Sequence, residues 1–260
     1  MATTNIQTFS GDVEVTSNIL MSGEVFIKAN DGNGKVGIGL NAGSNNQGES
    51  AVAVGDTAGY TSQGANAVAV GYGAGSNNQG TYAVAVGINS AVTAQSSNAI
   101  AIGRAAGQTS QGPQGIAVGY EAGKTDQGAS AVAVGYGAGD TAQDDFAVAV
   151  GRDAGNTSQG TQAVAVGYEA GSNNQGNNTV AVGRLAGATS QGNNAIAVGD
   201  DAGSNNQGAG AVALGNSAGA TSQGDYATAI GNAAGSTSQG DSATAVGRGA
   251  GKISQGTNAV

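Results

Sequence analysis

Glycine returns every sixteen residues from Gly39 to Gly247, fourteen times without a miss, and glutamine keeps the same interval from Gln47 to Gln255. Positions between them vary, so the period is not a by-product of low complexity. A chain with 49 glycines in 260 residues would otherwise read as a polar, disordered sequence, since the usual share is ~7%. A strict period instead marks a stack of identical units, each burying its apolar side against the next.

The stretch 51–66 serves as the type unit. Ala51-Val52-Ala53-Val54 alternates at period two and predicts a strand with valines on one face and alanines on the other. Gly55 ends it. Ala58 to Gln63 predicts a second extended run, and Gly64 opens the turn back. Sixteen residues are too few for a βαβ unit but suffice for one coil, and glycine with β-branched residues opposes helix. The fold class is therefore all-β, a parallel β-solenoid of 16-residue coils over residues 35–260. The array breaks off at Asn258-Ala259-Val260, in the opening of another AVAVG, as expected within a longer array. Residues 1–34 stand outside the period. They alternate around Gly23, end in the turn-forming run Asn30 to Gly34, and hold Phe9, Phe26 and both methionines, which predicts two strands capping the stack.

Three columns follow from the stacking of residue i on i+16. Gln63, Gln79, Gln95, Gln111, Gln127, Gln143 and Gln159 predict a ladder of amides at the strand spacing, with a solvent-facing glutamine turn as the alternative. Tyr72, Arg104, Tyr120, Tyr136, Arg152, Tyr168 and Arg184 follow the strand glycine and predict an exterior stripe in which Arg and Tyr stack, read either as a recognition surface or as a solvated edge. The Val52 and Val54 positions vary among aliphatics, with Thr228 and Thr244 late in the chain, and are expected to face the core. That expectation turns Ala53, Ala69, Ala85, Ala101, Ala133, Ala149 and Ala165 outward as an interface between copies. The opposite arrangement, alanines inside and valines against a partner, remains open.

Composition removes several functions. The chain has no Cys and no His, which rules out disulfides, common zinc sites and His-based triads. No cofactor or metal site is expected: Asn30 to Gly34 lacks the glutamate of a calcium loop, and the glycine motifs have no helix to follow them. The net charge of -9 opposes nucleic-acid binding. No stretch has the apolar length of a membrane span, and the first residues lack the basic and apolar regions of a secretory signal. No nucleophile, base and oxyanion site assembles, so no enzyme is expected.

The phrases NAVAVGYGAG and NNAIAVGDDAG resemble the head repeats of trimeric autotransporter adhesins of the YadA-like kind, over residues 35–260. The resemblance implies a left-handed parallel β-roll, three rolls side by side as a homotrimer, and an exposed surface that binds host molecules, whether glycan or protein. It implies Val52 and Val54 as core, Gly55 as corner and Ala58 as a small inward residue. The period of sixteen departs from that family's usual fourteen or so. The segment TTNIQTFSGDVEVTSNILMSGEVFIKANDGNGKVGIG is similar to the N-terminal segments of tail-fibre and virion-surface proteins of phages and large DNA viruses, which favours a virion surface over a bacterial one. A rod serving only as a spacer is the rival reading. An ice-binding solenoid is a weaker one, because most strands carry valine and regular outward threonine columns are not expected.

Overall fold

The computed structural model describes strands Ile19–Met21 and Glu24–Lys28 and residues 33–260. From residue 35 onward the chain winds as a parallel β-solenoid in which each coil contributes one short strand to each of two sheets. Among the described residues there is no helix.

The first sheet has sixteen strands. β1 (Ile19–Met21) and β2 (Glu24–Lys28) pair antiparallel, and β2 pairs antiparallel with β3 (Val36–Ile38), Ile27 opposite Ile38. From β3 the sheet runs parallel and in register at sixteen-residue steps to Thr244–Val246, Val36 on Val52 and Val52 on Val68. A two-strand hairpin thus lies on the first edge of the array. The side-chain packing expected of Phe9, Phe26 and the methionines, the alternation before Ile19, and most of the Asn30 to Gly34 turn fall outside the described residues. The second sheet has thirteen parallel strands, from Thr61–Gln63 to Ile253–Gln255, with Gln63 stacked on Gln79.

Tight corners join the sheets, and their dihedrals explain the sequence there. Gly55 has φ 125, a region closed to L side chains, and a Cβ on it would lie 2.6 Å from the Gly71 carbonyl oxygen of the next coil. All fourteen glycines of this column share the conformation. Ser62, in the middle of its strand, has φ 55, and Asn66 has φ 57. The left-handed region suits Asn, Asp and Gly best, which accounts for the recurrent asparagines in these columns. Ser62 consequently misses the parallel ladder and donates backward, its N–H to the Asn45 oxygen at 2.8 Å, while Thr61 and Gln63 pair forward.

The interior reverses one expectation. Ala51, Ala53 and Ala58 are fully buried, whereas Val52 and Val54 lie on the outside of the first sheet and are only half-buried. The entire column of Ala53, Ala69, Ala85, Ala101, Ala133, Ala149 and Ala165 has no exposed surface, so it lines the lumen and is no interface. The reason is thickness. The Gln63 amide reaches from the second sheet across the lumen to the Val52 carbonyl oxygen at 2.8 Å, which leaves room opposite the strand for methyl groups and one extended side chain, not for paired valines.

Candidate interaction surfaces

The glutamine column fixes the separation of the sheets. Gln47 donates to the Val36 and Ala51 carbonyls and leaves the buried Gln63 Oε1 without a partner. From Gln63 to Gln143 each amide nitrogen donates to a strand carbonyl of its own coil and to the amide oxygen of the next glutamine, Gln63 to Gln79 at 3.1 Å, Gln95 to Gln111 at 3.0 Å, Gln143 to Gln159 at 3.0 Å. The chain of amides then stops. Gln159 donates to Val148 and Ala163 but not to Gln175, whose buried Oε1 has no partner. A second run goes from Gln175 to Gln255. The break falls at the coil whose Ala51-type position holds Thr179, a fully buried residue whose hydroxyl donates to the Gly176 oxygen at 3.0 Å. The extra branch of Thr179 coincides with this break, whereas the break between Gln47 and Gln63 has alanine at the equivalent positions, Ala51 and Ala67.

The tyrosine and arginine column lies at the corner where the first sheet ends. Arg104 sits over the Tyr120 ring at 5.4 Å, Tyr120 stacks on Tyr136 at 5.0 Å with 10° between planes, and Arg152 lies between Tyr136 and Tyr168 at 5.6 and 5.5 Å. Five side chains in successive coils thus form one stack. Arg184 turns instead to Asp200 and Asp201, its Nη2 2.6 Å from the first carboxylate. Tyr72 is exposed and stands apart, separated from Arg104 by Ile88. Acids accompany the column. Arg152 Nε donates to Asp153 at 3.2 Å, Lys124 pairs with Glu121 at 3.2 Å, and the Tyr168 phenol is held above its usual range by a hydrogen bond to Glu169 and by that carboxylate's charge. Both faces of Tyr120 and Tyr136 are occupied within the stack, and Tyr168 meets Arg152 on one face.

The outer face of the first sheet is the larger feature. Its two columns, begun by Val36 and Ile38, hold Val, Ile, Leu and two threonines through every coil, with no charge. Of the sixteen exposed large apolar side chains among the described residues, fourteen lie in these columns or in the two corner columns beside them, those of Tyr72 and of Asn66; Tyr60 and Ile253 are the exceptions. Apolar exposure is therefore gathered on one side of the rod. The outer face of the second sheet is its opposite in character: threonine in nine coils between Thr61 and Thr237, asparagine in most of the rest. This corrects the expectation that outward threonine columns are missing: they lie on the second sheet, not among the valine strands. One signal in the sequence could have placed the valines outside: their column tolerates Thr228 and Thr244, while the Ala53 column, from Ala53 to Ala245, tolerates nothing.

Among the described residues no group of three acidic, Cys or His side chains converges as a metal site, and no helix is long and apolar enough to cross a membrane. A family model for the YadA head domain repeat, two copies long, matches residues 62–90, 158–186, 175–202, 207–234 and 223–250. The matches take in a little under half of the chain, and the coils between them have the same register. Comparison with curated proteins and with solved structures gives no significant match.

Proposed function

We propose that this chain forms the rod of a homotrimeric surface fibre of the adhesin-head kind, displayed on a virion or cell surface and presenting a repetitive exterior for attachment to a host glycan or protein. The observation that carries the reading is the unpartnered aliphatic face of the first sheet. At ~4.8 Å per coil, fourteen coils make that face roughly 65 Å long, a continuous apolar patch of the kind that marks an interface. Burying it around a common axis removes it from water and leaves the polar second sheet outermost. The head-repeat matches support three as the number of copies and a structural, adhesin-like role.

The test is the mass in solution. The chain should scatter as three times 24.5 kDa, and Val150→Arg, on the outer face, should shift it to the monomer with β-structure retained. Ala149→Arg, in the lumen, should instead abolish folding. A chain that scatters as a monomer at micromolar concentration refutes the assembly. Binding of the trimer to glycan arrays or host cells separates attachment from a spacer rod. A second reading has its own observation, the outward threonine column of the second sheet at a regular sixteen-residue step: such a face suits an ordered lattice such as ice, and thermal hysteresis in a cooled sample tests it.

A further inference from the structure

We infer that the Tyr72 to Arg184 column is one lip of a seam between copies, closing against the Asn66 column of the neighbouring chain, rather than a free recognition stripe. The inference rests on the proposed packing of valine faces around an axis. Each strand of the first sheet enters at one corner, through the Asn66-type residue, and leaves at the other, through the Tyr72-type residue. When parallel copies are related by a rotation axis along the rod, the leaving corner of one copy must meet the entering corner of the next, since such contacts are head-to-tail.

The entering corner has the composition this demands. From Asn66 to Ser242 it holds no charged residue in twelve successive coils, although the column one residue earlier carries Asp145, Asp225 and Asp241. Depletion of charge with enrichment of aromatics and arginine is the compositional mark of an interface. Three of the twelve are aromatic, Tyr82, Phe146 and Tyr226, exposed by 60%, 57% and 71%. Each is held at positive φ, 59, 60 and 56, which a bulky residue adopts at a cost. The other positions are mostly amides or serine, each able to donate and accept hydrogen bonds.

Coil by coil, the facing residues are complementary. The strand Val148–Val150 is entered through Phe146 and left through Arg152, so in the assembly a phenyl ring meets a guanidinium. By the same rule Gln114 meets Tyr120, and Asn178 meets Arg184, an amide oxygen opposite a donor each time. Because the entering column is neutral, no coil sets like charges against each other. The partner is thus a second copy of this chain in the same axial register.

Cysteine pairs test the seam directly, because the chain has none of its own. In Ser130→Cys/Tyr136→Cys the two thiols of one chain sit at opposite ends of the strand Val132–Val134, six residues or about 20 Å apart at the extended rise, beyond the ~7 Å Cα separation a disulfide tolerates. They can bond only between copies. Oxidation should convert most of the protein to a covalent trimer on a denaturing, non-reducing gel, and Asn178→Cys/Arg184→Cys should do the same. Either single variant, or a cysteine at Thr141 on the second sheet, should not. Both pairs are first checked by light scattering under reducing conditions. A trimer in which neither pair cross-links overturns the seam and leaves the trimer standing; an unmodified chain that is monomeric overturns both. Cross-linking that stops at the dimer keeps the seam and replaces three-fold by two-fold symmetry.

Discussion

Two substitutions of the same kind, Gln111→Leu and Gln159→Leu, should differ in cost because the glutamine ladder is interrupted. Gln111 accepts from Gln95 at 3.0 Å and donates to Ile100 at 2.8 Å and to the Gln127 Oε1 at 3.0 Å. Leucine there leaves three acceptors without that amide, the Ile100 and Gly115 carbonyls and the Gln127 oxygen, and the last has no other donor inside the lumen. At about 1 to 3 kcal/mol for each buried polar group left unsatisfied, the loss is at most about 3 to 9 kcal/mol. Gln159 accepts from Gln143 and donates to Val148 at 2.8 Å, but it gives nothing to Gln175. Its replacement takes the amide from two carbonyls, Val148 and Ala163, and from no downstream amide, so the cost should be smaller by about 1 to 3 kcal/mol. Both sites are internal and fully buried, so volume and coil-stacking effects cancel in the comparison. Urea midpoints followed by circular dichroism would measure the difference. Equal losses at the two sites would refute the claim that the amide-to-amide bond contributes, and no loss at either would mean that water satisfies the lumen.

Thr179→Ala should close the gap between Gln159 and Gln175 and raise the urea midpoint, with the Gln159 side-chain amide, which gains the Gln175 Oε1 as acceptor, becoming better protected from hydrogen exchange. Gly151→Ala should prevent coil stacking, since the residue has φ 132 and a Cβ would lie 2.5 Å from the Gly167 oxygen; Gly249→Ala, with φ 69 and open space around it, should fold. The raised Tyr168 phenol favours its protonated form in the folded state, so its small contribution is present below the unfolded tyrosine pKa and is lost as pH rises through the folded one. Glu169→Ala should bring the titration of the Tyr168 ring, followed by NMR, back down toward the ordinary tyrosine value.

The period, the two strands per coil and the stacking of Gln63 on Gln79 were all legible in the sequence, because a solenoid requires each position to meet its own equivalent at sixteen residues. The direction of the valines was not. Alternation at period two states that Val52 and Ala53 face opposite ways and is silent on which way is in. Hydrophobicity then misleads, since it assigns the larger apolar residue to the core, whereas the lumen is set by a single glutamine spanning it. The decisive measure is invariance against volume. A position enclosed by its own chain between sheets a fixed distance apart can hold only one size, and from Ala53 to Ala245 it holds only alanine. A position that packs on another molecule can exchange Val for Ile, Leu or Thr, with the partner's copy of the same residue adjusting beside it. The same logic relocates the Arg and Tyr column. Read alone, its variability suggests recognition of something foreign; placed at the border of an aliphatic face and opposite a charge-free corner, it has the composition of an interface rim between identical chains.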